Sequence, residues 1–160
     1  MEMTIKELIE SLLLEDFDDT RKRKTLILVL GDEARLQFES QRYTTSTIGS
    51  LLRGKNDIGV LFLNSLQYLF MYLMKLEVSP DAYNHLVIYG LDSLVCNLPS
   101  KAGSKEAHEE MSLEQVRAAN LIYQAAFKVQ RTHQFNVTNF INYRENEPLE
   151  RIELYWKVIC

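Results

Sequence analysis

The groups in this chain that could ligate a metal or move a proton near neutral pH are His85, His108 and His133, with Cys96 and Cys160 as the thiols. Zinc sites draw histidine and cysteine at short fixed spacings, and these five residues show no such pairing. His85 follows Asp81 by one helical turn, so the two are expected to form a helix-surface pair. His108 lies in the polar run Lys105-Glu106-Ala107-His108-Glu109-Glu110, expected as a solvated turn. Cys96, after Leu94 and Val95, is expected as a small buried hydrophobe. Phosphate loops need clustered glycines, and neither GxxxxGK[ST] nor GxGxxG occurs; Gly54-Lys55 reads as a helix C-cap. There is no GxSxG elbow and no HExxH helix. On these patterns no catalytic residue, no cofactor site and no metal ligand is assigned.

Charge narrows the partner. Lys and Arg number 18 against 22 Asp and Glu, a formal net charge of -4. A global basic field for nucleic acid is therefore absent, although local patches remain open. The densest basic run, Arg21, Lys22, Arg23 and Lys24, is a candidate basic patch for localisation or phosphate contact. Five acidic or aromatic residues precede it, and the favoured expectation is a solvated strand entry that blunts a sheet edge. The acidic N-terminus lacks the apolar core of a signal peptide, and two distant cysteines fit a reducing compartment; a cytoplasmic location is expected.

The positioning elements follow from periodicity. Thr4 and Glu7 form a capping box ahead of Ile5, Leu8, Ile9, Leu12 and Leu13, which predicts a helix over 4–14. Residues 25–30 are a compact apolar run, Gly31-Asp32 is a turn signal, and Leu36 and Phe38 alternate with polar neighbours, which predicts a β-hairpin. One helix over 20–41 is the alternative, with Gly31 against it. A short helix is expected over 44–52, ending at Gly54. Residues 58–78 are almost wholly apolar; Asn64, Ser65 and Gln67 argue against a membrane span, and a central helix buried all round is expected. Its Tyr68, Phe70, Met71, Tyr72 and Met74 are assigned to the core.

Ser79-Pro80-Asp81 reads as the start of a helix carrying Val87, Leu91, Leu94, Val95 and Leu98. Ser112 and Gln115 form a second capping box, opening a helix through Arg131 with Val116, Ala119, Tyr123, Ala126 and Phe127 inward. After it, alternation at Phe135, Val137, Ile141 and Tyr143 and again at Ile152, Leu154, Trp156 and Val158, across Asn146-Glu147-Pro148, predicts a second hairpin.

The expected fold class is α+β: a helical core of four to five helices flanked by N-terminal and C-terminal antiparallel β-hairpins, in a single domain spanning 1–160. The expected function is a non-catalytic protein-interaction module, such as a small regulator, adaptor, inhibitor or immunity-type protein. Arg151, Glu153, Tyr155 and Lys157 are its expected outward face, and a homodimer through that strand edge is one expected assembly. Two alternatives stand beside it. One is a nucleic-acid-binding regulator with a helix-turn-helix over 44–67 and Arg53 and Lys55 at its turn. The other is an enzyme or small-molecule binder with a site assembled near Tyr83, His85 and Tyr123.

Overall fold

The computed structural model describes residues 4–13, 24–40, 57–79, 83–96, 98, 111–133, 137–142 and 147–159. In chain order the elements are α1 (Ile5–Leu13), β1 (Thr25–Leu30), α2 (Asp32–Ser40), β2 (Ile58–Leu63), α3 (Leu66–Val78), β3 (His85–Tyr89), α4 (Leu91–Cys96), α5 (Leu113–His133), β4 (Val137–Ile141) and α6 (Glu147–Ile159). The strands form one sheet in the order β2-β1-β3-β4, every pair parallel.

Alternation along β1 and β3 divides the core in two. Leu26, Leu28, Leu30, Leu86 and Ile88 point to one face, where α3, α4, α5 and α6 bring Leu69, Leu73, Leu76, Leu91, Ala119, Tyr123, Phe127 and Leu149. Ile27, Val29, Val87 and Tyr89 point to the other, covered by Ile5, Leu8, Ile9, Leu12 and Leu13 of α1 and by Ala34 of α2. The sheet is thus the middle of three layers. Parallel crossovers of one hand explain the arrangement, because the path steps from β1 to β2 in one direction and from β2 to β3 and on to β4 in the other. Reversing the direction moves the connecting helix to the opposite face, so α2 lies on one side and α3 and α5 on the other.

Both expected capping boxes are present. Glu7 N–H donates to Thr4 Oγ1 at 3.2 Å while Thr4 N–H donates to Glu7 Oε2 at 2.9 Å. Gln115 N–H donates to Ser112 Oγ at 3.3 Å, and Ser112 N–H to Gln115 Oε1 at 3.0 Å. All five apolar residues assigned to the first helix are buried.

The α+β expectation is wrong: the all-parallel sheet is of the doubly wound α/β kind, without antiparallel hairpins among the described residues. After the correctly placed strand 25–30, Gly31 leads into α2, not a second strand, and the alternative of a helix over 20–41 fails at β1. Leu36 and Phe38 satisfy a period of two by accident; Ala34 and Phe38, one turn apart, are the residues that face the sheet. The supposed central helix over 58–78 is β2, a break at Asn64-Ser65, and α3. Ser65 Oγ caps α3 by accepting from Tyr68 N–H at 3.2 Å, so the polar interruption was punctuation. The strand at 58–63 also removes the second half of the expected helix-turn-helix, while Arg53 and Lys55 lie outside the described residues.

Further along, Ser79 is the C-cap of α3, not an N-cap, and the expected helix after it is β3 followed by α4. His-Leu-Val-Ile-Tyr of β3 is buried on both faces, so it shows no alternation and resembles a buried helix in composition. The expected C-terminal hairpin is absent among the described residues. Residues 137–141 are a strand, but 147–159 form α6, in which Leu149, Ile152 and Trp156 share a helical face toward the core. Cys96 is exposed at the end of α4, contrary to its expected burial.

Leucine spacing along α3 separates core from surface cleanly. Leu73→Ala should cost about 2–5 kcal/mol as a core truncation, and Met71→Ala, one turn face away, should stay within about 0.5 kcal/mol of the parent. Urea melts of the two variants check this, and equal midpoints would refute the inward assignment of Leu73.

Candidate protein-interaction surface

In a doubly wound sheet, ligands enter at the carboxyl ends of the strands where the path reverses, here between β1 and β3. Gly31 and Gly90 end these strands with φ of 83° and 90°. A Cβ on Gly90 would lie 2.7 Å from Leu30 O and 2.8 Å from Ala34 Cβ, so the β3 end is packed directly onto the β1 end and α2. Gly31 N–H donates to Leu63 O and Gly90 N–H to Ile141 O, each at 2.9 Å. The acidic side chains that follow are Asp32 and Glu33 in the first turn of α2 and Asp92 in the first turn of α4. Tight packing and acidic residues are the opposite of what a phosphate needs at this position.

One buried polar group ties the sheet together. His85, at the start of β3, makes Nδ1 contact with Thr25 Oγ1 at 2.9 Å and Nε2 contact with Asn139 Nδ2 at 3.2 Å, tying β1, β3 and β4 together. With the Asn139 amide as donor, Nε2 accepts and Nδ1 carries the proton. The expected surface pair with Asp81 is therefore corrected: His85 is 1% exposed in a strand. Strand alternation sets it on the α1 side, whereas Tyr83 and Tyr123 belong to the α5 side. The sheet separates the three residues once grouped as a pocket. Burial, then the carboxylates of Glu153, Asp92 and Glu150, push the Tyr123 hydroxyl above its ordinary range. Its O–H donates to Leu149 O at 3.4 Å. His133 Nε2 contacts Glu77 O, joining the ends of α3 and α5. Among the described residues no three His, Cys, Asp or Glu side chains gather as metal ligands, and no helix is long and apolar enough to cross a membrane.

What remains is the outside. On α3, Leu66, Leu69, Leu73 and Leu76 turn inward at spacings of three and four, and Tyr68, Met71, Met74 and Val78 are left exposed. Three of these were assigned to the core within the Tyr68–Met74 cluster; only Phe70 and Tyr72 of that group pack against it. Once Ser65 is read as an N-cap, the leucine spacing alone identifies the outward face. On α6, Leu154, Tyr155, Val158 and Ile159 are exposed, with Val158 at 84%. On β2, Val60 and Phe62 are exposed, Phe38 stacks edge-on to Phe62 with centroids 6.0 Å apart, and the Arg35 guanidinium sits 4.7 Å from the Phe62 ring centre.

The outward set chosen from sequence is placed on a helix. Tyr155 and Arg151 are exposed, and Lys157 pairs with Glu153 at 2.8 Å. Glu153 points mostly inward, its side chain 13% exposed. Arg151 pairs with Glu147. Trp156 lies against the core and donates Nε1–H to Asn120 Oδ1 at 2.8 Å. Leu154 and Val158, expected to share its inward face, lie outside because a helix replaces the period of two with 3.6. Of the basic run, Arg21, Lys22 and Arg23 fall outside the described residues, and Lys24 N–H donates to Asn84 Oδ1 at 2.9 Å.

Fold and site together define a doubly wound α/β protein whose reversal point is packed shut and acidic and whose apolar excess lies on outer helix faces and one sheet edge. The profile of the family SHU1, "Suppressor of HU sensitivity involved in recombination protein 1", matches residues 6–160, and the chain belongs to that family. The Saccharomyces cerevisiae protein of the same name is 29% identical over 96 residues, which is 56% of this chain and 64% of the yeast protein. The matched stretch is thus short of two thirds of that relative's length. The family name refers to recombination, which is coarser than the regulator or adaptor expected from sequence.

Two measurements test this layout. Trp156→Ala should destabilise by about 2–4 kcal/mol, below full core values because the ring is half-buried, and Tyr155→Ala by less than about 0.5 kcal/mol. Tyr123 is neutral in the fold well above pH 10, whereas the unfolded phenol ionises at about 10. Its contribution is therefore complete below that pH and is lost as pH rises past it. Denaturant melts at pH 8 to 11 (about the span of that titration) should show stability falling, and Tyr123→Phe should flatten the fall. An unchanged slope would contradict the buried, neutral phenol.

Proposed function

We propose that this chain serves recombination as a non-catalytic protein-binding factor, docking other proteins on the apolar faces that α3 and α6 turn outward. The observation that carries this is the exposure of Tyr68, Met71, Met74 and Val78 along one side of α3, matched by Leu154, Tyr155, Val158 and Ile159 on α6. Apolar side chains left in water gain roughly 1.5–3 kcal/mol each when fully covered. Tyr155 supplies the rigid aromatic anchor that interface hot spots favour. Methionines at 71 and 74 add an adaptable surface. Arg151 and Lys157 are each paired with an acidic residue of the same helix.

Membership in a recombination family supports action where DNA is recombined, in place of a purely cytoplasmic role. The run Arg21–Lys24 is retained as its localisation patch.

The test uses cells in which the variant is the sole copy. Met71→Glu with Val78→Glu, and separately Tyr155→Ala with Val158→Glu, should leave the urea midpoint within about 1 kcal/mol of the parent, since both pairs are exposed. They should fail to restore growth on HU. Sedimentation of the purified variants separates loss of a partner from loss of self-association. Full resistance to HU in both folded double variants would refute the reading.

A further inference from the structure

The outer edge of β2 carries a second, more specific prescription. Asp57 O accepts from Thr25 N–H at 2.8 Å and Leu63 O accepts from Gly31 N–H at 2.9 Å, both across the pair with β1. Backbone groups alternate sides along a strand, so Asp57, Gly59, Leu61 and Leu63 are directed at β1. Ile58, Val60 and Phe62 therefore aim their N–H and C=O groups at the opposite edge, where no strand pairs among the described residues. The same three residues turn their side chains to the α2 face, and Val60 and Phe62 are 40% and 36% exposed. β1 beside them is buried throughout.

Edge strands are ordinarily blunted with a charge, a proline or a bulge. β2 has none of these: its sequence is Ile-Gly-Val-Leu-Phe-Leu, paired without interruption to β1. Such a segment is a template for another strand. Its flank has a sign. α2, held against β2 by Phe38 and Arg35 on Phe62, carries Asp32, Glu33 and Glu39 against Arg35, and Asp57 precedes β2. Pairing two copies edge to edge about a two-fold axis would bring two acidic α2 flanks to the same side of the joined sheet, at an electrostatic cost. A strand with basic side chains meets the same edge favourably.

We infer that the outer edge of β2 accepts an extended segment of a partner protein, apolar at alternate positions and bearing lysine or arginine beside α2, as an added strand of the sheet. The inference rests on the protein-binding reading above and supplies the chemistry of one partner. Main-chain bonds to Ile58, Val60 and Phe62 hold the segment, and its alternate side chains cover Val60 and Phe62.

The test measures fluorescence anisotropy of a labelled peptide of about ten residues, the length of a long strand, alternating valine with threonine and with lysine at both ends, against the purified full chain. It should bind saturably. Methylation of alternate peptide nitrogens, or glutamate in place of the lysines, should weaken it by about tenfold or more. Val60→Pro removes an N–H that faces away from β1, which an edge strand tolerates, and should abolish binding with the fold kept by circular dichroism. Phe62→Glu serves if that variant fails to fold. The inference is overturned if the lysine peptide does not bind, if N-methylation changes nothing, or if the chain sediments as a dimer that Val60→Pro dissolves. Loss of peptide binding alone, with the α3 and α6 variants still unable to support growth on HU, would remove this edge and leave the broader proposal standing.

Discussion

Leu26 to Leu30 of β1 and Leu86 to Ile88 of β3 are removed from water on both faces, and this double burial dictates most of the architecture. A strand apolar on both sides must lie at the centre of a sheet with a layer over each face. Two central strands of this kind in parallel require crossover helices, because a tight turn cannot return the chain to a parallel start. α1 and α2 close one face and α3, α5 and α6 the other. β2 and β4 are left as edges and the helices are left with outer surfaces, so the places where another protein can attach are consequences of the same burial.

The reversal of path between β1 and β3 would ordinarily open a ligand crevice. Here the backbone closes it. Gly90 lies against Leu30 and Ala34 so tightly that a methyl group has no room, and the helices beyond open with Asp32, Glu33 and Asp92. Inside, His85 bridges Thr25 and Asn139 across three strands, and Tyr123 is kept neutral by burial. A fold that hosts nucleotide chemistry elsewhere does not by itself bring that chemistry with it. Its distinctive property moves to the perimeter.

How far the sequence disclosed this depends on the kind of signal. Capping boxes at Thr4 and Ser112 are local, made within four residues, and both helix starts were readable to within a residue. Strand β1 was readable because Gly31 ends it. β2 and β3 were not, since a strand buried on both sides or wholly apolar has no alternation to detect, and the residues 58–63 merge by composition with α3 behind them. In α6 the apolar residues happen to fall at 152, 154, 156 and 158, which satisfies a period of two; Leu149, before that run, belongs to the period of 3.6 that the core selects. The interaction face suffered the same fate. Tyr155 is outward under either period, so it was legible, but Leu154 and Val158 changed sides with the helix.

One consequence concerns the stretch 58–78, the most apolar in the chain and the natural choice for a buried centre. Burial within the fold uses Leu61, Leu63, Leu66, Leu69, Leu73 and Leu76. Those leucines leave unused the outward Val60 of β2 and the tyrosine, methionines and valine of α3. Polar residues at these positions would satisfy the fold equally, and a chain with a net charge of only -4 gains solubility from each. Core packing cannot account for an apolar residue that touches no core. Contact with other proteins can, on the α2 side of the sheet for Val60 and on the opposite side for α3.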